Sequence, residues 1–437
     1  MRANVSMRAN VSMREIVTAL APLNRALCSP GYDRALDYLC GLLPFQVLEF
    51  DPQQDYNGWV VPPYWEVLEA RIERHGKLVY DGTRHPLAVI ALSSPFRGRV
   101  SREQLRQHLF FDHRYPDSLP FHYRQQFRSW QRDWGFCVTR KLYDGLEEGD
   151  YDVIIETRES RQPLRMLELR LEGSRAETIA VCANLDHAGL ANDGVAGVAV
   201  GVELFRRLAR RERRFSYRLV LCQGIVGSEF YLGRQTEADR RRIFEAVCLW
   251  MLGSRTQLAL QESRGARSNI EGALARALRD SGVDYRRGAF REIIVNDEYV
   301  WEAHGIPTAS LSRYPYPEYH SSRDDADIIF ADRLEEAADI VDRALLGLEA
   351  THIVRKRFSG TVCLSNPKYD LYVDAGQVAF GEDSGQERAA LRRVMDLIPT
   401  LETPVTVASL ADRVGLPEMR VERYLRGWED KGLVTLE

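Results

Sequence analysis

The sequence has little of what marks the specialised classes of protein. Its seven cysteines are odd in number and show no Cys-x-x-Cys spacing. Several lie in apolar runs such as Val181-Cys182-Ala183. A disulfide framework is thereby disfavoured, and buried reduced thiols in a cytoplasmic protein are expected. No stretch approaches the roughly 18 consecutive apolar residues of a spanning helix, so no membrane partner is expected. Charge of one sign is also scarce. Lys and Arg number 59 against 63 Asp and Glu, a net of −4. There is no global positive field to draw in nucleic acid. The 31 Gly and 18 Pro show no triplet period, which excludes a collagen-like chain.

What is present is the mix of a globular protein, with 45% hydrophobic and 28% charged residues in 437. At roughly 150 residues per domain, two or three domains are expected. The chain opens on a repeated hexamer, Met1–Ser6 and then Met7–Ser12, which starts a third time at Met13-Arg14. It has no apolar core and is not a signal peptide. Residues 1–12 are expected to be a disordered or artefactual tail, with the fold beginning at Met13.

Four textures follow. Residues 14–45 carry apolar positions at helical spacing, broken by Ser29-Pro30-Gly31. From about 46 to 160, short β-like runs (Phe45–Phe50, Leu87–Leu92, Tyr151–Ile155) alternate with turn signals and aromatics, which predicts a small β-rich module. From 165 to 355 strands alternate with helices. Thr178–Leu185, Tyr217–Cys222 and Thr308–Ser312 read as strands, and Ala196–Arg211 and 268–280 as helices. This alternation predicts a largely parallel sheet covered by helices, with its site beyond the strands' C-terminal ends. Residues 385–437 read as a helix, a helix–turn–helix and one wing strand. From Arg388 onward eight basic residues meet eight acidic ones. Phosphate contact needs a positive surface, so this module is expected to make protein contacts, homo-oligomeric ones included, and not to bind nucleic acid.

Three segments carry chemistry. Asn184–Gly197 leaves a strand, crosses a loop of small residues and enters a helix, placing Asp186, His187 and Asp193 at one strand end. Imidazole and carboxylate suit a zinc-like ion, although Asp193 at that junction also fits a plain helix cap. Val295-Asn296-Asp297-Glu298 presents two acids after an apolar strand, Ile293–Val295. Tyr316–Asp325 sets His320 in an aromatic, proline-containing loop with acids downstream.

Together with further motifs, these segments resemble a bacterial family of aminopeptidase-like proteins often labelled as polysaccharide-biosynthesis proteins. The motifs are Pro22-Leu23-Asn24-Arg25, Trp59–Trp65, Trp134-Gly135-Phe136-Cys137, Ala191-Asn192-Asp193, Asn296-Asp297-Glu298 and Pro317–His320. The wider group includes the di-zinc aminopeptidases and glutaminyl cyclases. The resemblance implies a mixed α/β sheet domain of aminopeptidase type over 13–50 and 155–360. It implies a β-rich insertion over 51–154 and a winged-helix-like domain over 361–437. It also implies one or two zinc ions, with Asp193 bridging, Asp297 completing one site and His320 the other. His187 matches a histidine of the family's own loop, and Asp186 falls where an orienting acid sits.

Two positions depart from the pattern. An upstream histidine ligand falls on Asn184, and a glutamate that serves as base and ligand falls on Gly224. Metal candidates are therefore His187, Asp193, Asp297 and His320. Glu229 or Glu298 is expected to serve as base, with Asp186 orienting. The implied activity is zinc-dependent hydrolysis of an amide or peptide bond in a small peptide-like or biosynthetic substrate. The alternatives are a catalytically degenerate scaffold and a glutaminyl-cyclase-like acyl transfer. The insertion's aromatics read mainly as its own core, with His113 the first candidate for lining the cleft.

Overall fold

The computed structural model describes residues 11–373 and 384–437. Residues 1–10 of the expected tail lie outside the described residues. Val11 and Ser12 take part in the structure. Ser12 caps the helix Met13–Leu20 reciprocally with Glu15, and the Val11 carbonyl accepts from Arg206 at 2.7 Å. A reciprocal cap of this kind satisfies backbone donors that the first helical turn leaves free.

The chain forms two compact units. The larger holds residues up to Ser268 and Gly282–Asp342. Its centre is an eight-stranded mixed sheet. In spatial order the strands are Gln46–Phe50, Leu164–Leu171, Ser216–Cys222, Thr178–Asn184, Ile243–Trp250, Thr308–Ser312, Leu258–Gln261 and Tyr285–Gly288. The four central strands run parallel. Every residue of Thr178–Asn184 and Ser216–Cys222 is buried, as expected where helices cover both faces. From Thr178–Asn184 the chain goes first to Ser216–Cys222 on one side, then to Ile243–Trp250 on the other. That reversal creates a crevice beyond the C-terminal ends of the strands.

Two apolar runs expected as strands are not. Ile293 and Ile294 donate their backbone N–H groups to the side-chain oxygen of Gln261, at 3.0 and 2.9 Å. A glutamine thus takes the place of a ladder partner. Leu87–Leu92 is a buried irregular segment with one isolated bridge at Val89 and Leu92 in the left-handed region. Apolarity reports burial here and not backbone shape.

The insertion is built on a four-stranded antiparallel sheet of Lys77–Asp81, Tyr64–Arg74, Asp150–Ser160 and Phe96–Ser101. Trp65, Phe136 and Tyr151 fill its own core. Its segment 114–123 reaches the loop after the strand Thr308–Ser312. Leu119 and Phe121 exchange hydrogen bonds with Ser322 and His320 across the Pro120–Ser321 bridge. Arg114 and Tyr115 donate to the carbonyls of Tyr319 and Pro317.

The second unit comprises Asn269–Ser281 and Arg343–Glu437. It contains helices Ser384–Leu397, Val407–Val414 and Glu418–Asp430. Beside them lies a three-stranded sheet with Ile353–Lys356 between Val405–Thr406 and Val434–Leu436. Gly415 in the left-handed region ends the helix Val407–Val414, as a C-terminal glycine does. Cys28, Cys137, Cys182, Cys222 and Cys248 are buried free thiols. Among the described residues no helix is long and apolar enough to cross a membrane.

Candidate metal centre

The strand Thr178–Asn184 delivers the first half of the site. After it the chain turns through Asp186 and His187 and enters the helix Gly197–Leu208 by a π-turn at Asn192–Ala196. Gly194 is required in that turn. Its φ is +97°, and a Cβ there would lie 2.7 Å from the Asn184 carbonyl oxygen. Asp193 is thereby aimed into the crevice and not along the helix as a cap. No side-chain cap bond is made at this junction.

The second half comes from the loop after Thr308–Ser312. His320 Nε2 lies 3.0 Å from Asp193 Oδ2. His187 Nε2 approaches the same oxygen at 3.7 Å, and its Nδ1 faces Asp186 Oδ1 at 3.4 Å. One ligand atom each from His187, Asp193 and His320 falls within 4.8 Å of the others. Both imidazole-bearing residues occupy the left-handed region, with φ +75° for His187 and +56° for His320. Such a backbone costs about 1–2 kcal/mol per residue and persists only where surroundings enforce it.

The enforcement is visible. Arg25, fully buried, donates Nε to the Leu185 carbonyl at 3.0 Å. Its Nη2 donates to the carbonyls of His187 and Leu190 at 2.8 and 2.7 Å. One guanidinium thus holds three carbonyls of the loop. On the far side Asp324 accepts the N–H groups of Ala191, Asn192 and Asp193, and the Tyr316 hydroxyl at 2.5 Å. The insertion adds Phe121, whose ring lies 5.3 Å from His187 and 5.1 Å from His320, and Tyr123, 5.2 Å from His320.

The other expected residues are placed differently. Asp297 is fully buried, and neither of its oxygens has a hydrogen-bond partner among the described residues. It lies outside the three-residue cluster. Burial, reinforced by the Asp186 carboxylate, pushes its carboxyl up to about 7. Glu298 is buried and accepts from Trp250 Nε1 at 2.5 Å; burial also raises its pKa. Glu229, on the helix Gly224–Arg234, faces His304 Nε2 at 3.3 Å, and Tyr56 stacks on that imidazole. Glu229 does not join the cluster. Gly224 has φ +53°, and a Cβ built on it would lie 3.2 Å from Asp186 Oδ2. Asp186 thus fills the space into which a side chain at 224 would project. His113 is exposed and packs on Phe111; the aromatics that reach the site are Phe121 and Tyr123.

The electrostatics are lopsided. Asp186, Asp193, Asp297, Glu298 and Asp324 are all buried, and Asp186, Asp324 and Asp193 act on the buried guanidinium of Arg25. Buried charge must be paired or neutralised. Burial works to lower the His187 pKa, but the Asp186 and Asp193 carboxylates win and push it up to about 10. Burial likewise works to raise Asp193, and the His187 and His320 imidazoles outweigh it and lower it. His320 is held below the usual histidine range by burial. Asp193 Oδ2, His187 Nδ1 and His320 Nε2 are buried with no hydrogen-bond partner among the described residues. Two imidazoles and a carboxylate at one point, in an acid-rich pocket, are a donor set that fits a divalent zinc-like ion.

Comparison with known proteins agrees with this architecture. A Clostridium acetobutylicum protein, provisionally named as a polysaccharide biosynthesis protein with an aminopeptidase-like domain, is 23% identical over 314 residues, 71% of each chain. The crystal structure of a provisionally named peptidase from Clostridium acetobutylicum superposes with a TM-score of 0.75 at 19% identity. It covers 97% of this chain and 96% of that one. The zinc aminopeptidase BSAP of Bacillus subtilis superposes at 0.59 and 13% identity, over 78% of this chain and 96% of that one. The fold is therefore that of the zinc aminopeptidases, with a small helical and sheet unit at the C-terminus. Residues 14–351 match the family described as a domain of unknown function, DUF4910, and the chain belongs to that family.

Proposed function

We propose that the protein is a zinc-dependent amide hydrolase of aminopeptidase type, acting on a small peptide-like or biosynthetic substrate. The observation that carries this reading is the convergence of His187, Asp193 and His320, one ligand atom of each within 4.8 Å of the others, among the buried carboxylates Asp186, Asp297, Glu298 and Asp324. These three residues would hold the metal. Three protein ligands leave a fourth position open. A bound zinc supplies Lewis acidity toward a carbonyl and lowers the pKa of coordinated water.

The chain's own residues do the rest. Asp186, 3.4 Å from His187 Nδ1, orients that imidazole and keeps its Nε2 turned to the ligand side, as carboxylate–histidine pairs do at zinc. Asp297 and Glu298, adjacent buried acids whose carboxyls burial raises, are the groups that would accept and return a proton there. The packing of Phe121 and Tyr123 against the imidazoles restricts water. We place the protein in a reducing compartment, consistent with its free buried thiols.

Gly224 and Asn184 favour a second reading, a degenerate scaffold that keeps the fold without catalysis, because the resemblance sets ligands at both positions. Elemental analysis of the purified protein, with turnover of a panel of aminoacyl p-nitroanilides, separates the two. About one zinc per chain, and activity lost in His320→Ala, supports the hydrolase. A chain that takes up no transition metal supports the scaffold.

A further inference from the structure

A cavity of about 320 Å³ lies between the insertion and the helix Gly224–Arg234. Its walls include Trp59 and Val60 of the hairpin strand Trp59–Val60, Gln126, Phe127 and Trp130 of the insertion, and Val226 of the helix. The size is at the lower end of small-molecule sites, which are mainly apolar with a few placed polar groups. This cavity has that composition. Three aromatic rings and two valines line it, with Asn57, Gln126 and Ser129 as its polar side chains. Trp130 is 65% exposed although tryptophan is costly to leave in water, so its indole stands at the rim as an uncovered apolar face.

Among these polar side chains Gln126 is the buried one with an unpartnered atom. The residue is 4% exposed, yet its side-chain nitrogen has no hydrogen-bond partner among the described residues. An unpaired buried amide costs about 1–3 kcal/mol. A half-turn of its last torsion exchanges nitrogen and oxygen, so the amide can offer either to a ligand. A carbonyl oxygen entering the cavity would satisfy the donor.

The cavity adjoins the metal centre on two sides. The ring of Phe127 lies 6.1 Å from Tyr123, which in turn lies 5.2 Å from His320. Val226 follows two residues after Gly224, where an added Cβ would lie 3.2 Å from Asp186 Oδ2. A ligand seated among Trp59, Phe127 and Trp130 is therefore one aromatic ring, that of Tyr123, away from His320.

We infer that this cavity is the specificity pocket of the enzyme and takes an aromatic side chain of an amide substrate, with Gln126 binding a substrate carbonyl. The inference deepens the amide-hydrolase reading and rests on it for the nature of the substrate. The aromatic walls choose the ring and the metal centre acts on the adjoining amide.

The experiment is calorimetric titration of the full chain with L-phenylalaninamide and L-alaninamide, both after chelator treatment and after zinc addition. L-Phenylalaninamide is expected to bind about tenfold more tightly than L-alaninamide in both states, as stacking on exposed indole allows. Trp130→Ala, a change at an exposed side chain, is expected to bring the ratio close to one without altering zinc stoichiometry. Gln126→Leu is expected to weaken both amides to a similar degree. A ratio near one in the wild type, no saturable binding of either amide, or a ratio untouched by Trp130→Ala overturns the inference. If selectivity holds in a chain that takes up no zinc, the pocket stands and the hydrolase reading fails. If zinc is bound and the ratio is one, the reverse is true.

Discussion

Asp324 and Asp193 meet through the backbone and not through their side chains. The Asp324 carboxylate accepts the Asp193 N–H at 3.0 Å and that of Asn192 at 2.6 Å, while the Asp193 carboxylate turns the other way, to His320. One acid thus fixes the position from which the other is presented. Asp324→Ala should lower zinc affinity by about 10- to 100-fold, the range for outer groups that orient ligands. Competition against a chromophoric chelator measures it.

Removing a ligand itself should cost more. His187→Ala and His320→Ala should each lower zinc affinity by at least about a hundredfold. The wild type should also release a proton on taking up zinc. His187, pushed up to about 10 by its two carboxylates, is protonated at pH 7.5 in the metal-free protein, and zinc binds only the neutral imidazole. Binding enthalpies in Tris and phosphate should differ accordingly, and the difference should shrink in His187→Ala.

Arg25 is the tie between the first helix and the loop that carries His187. Its guanidinium also reaches the Leu20 and Ala21 carbonyls. Arg25→Met leaves buried carbonyls without donors and should destabilise the protein by about 3–5 kcal/mol, the scale for losing one partner of a buried charged cluster. Arg25→Lys should recover only part of this, because one ammonium cannot span carbonyls that a planar fork reaches together. Urea unfolding of the three proteins gives the values.

Asp297 makes metal-free stability depend on pH with a definite sign. Its folded pKa, about 7, exceeds the unfolded value of about 3.9. Between these the native state binds more protons than the unfolded state, so its contribution falls as pH rises from about 4 to 7 and is level above. Asp297→Asn removes this contribution. The urea midpoint of the variant should drop less between pH 5 and 7.5 than that of the wild type.

Gly224 tests how far the site has drifted from the resemblance. Gly224→Ala places a Cβ against Asp186 Oδ2 at a left-handed φ and should cost about 1–2 kcal/mol. Gly224→Glu adds a carboxylate beside Asp186 and should be less stable than Gly224→Ala without zinc. Thermal melts with and without zinc check both.

Much of this architecture was legible in local pattern. The buried run Thr178–Asn184 and its small-residue exit marked one strand and the loop that carries Asp186, His187 and Asp193. The helix 268–280 and the helix–turn–helix near the C-terminus followed from periodicity and turn residues. What escaped is what depends on distant partners. Ile293–Val295 has the composition of a strand, and only the Gln261 side chain, far away in sequence, shows why it is not one. Glu229 follows a strand end as a base would, and its pairing with His304 is a tertiary fact. Phe121 and Tyr123 carry no local sign that they pack on the imidazoles. Arg25 stood inside a recognisable motif, but nothing near it in sequence showed that its donors go to residues 185–190.

The bridge between Pro120 and Ser321 has a mechanical consequence. His320 is gripped by its own backbone, which Phe121 holds from the insertion at 2.9 Å. A swing of the 114–123 segment would carry the His320 backbone with it or break these bonds. On the proposed function, moving this wall and loosening a metal ligand would be one movement.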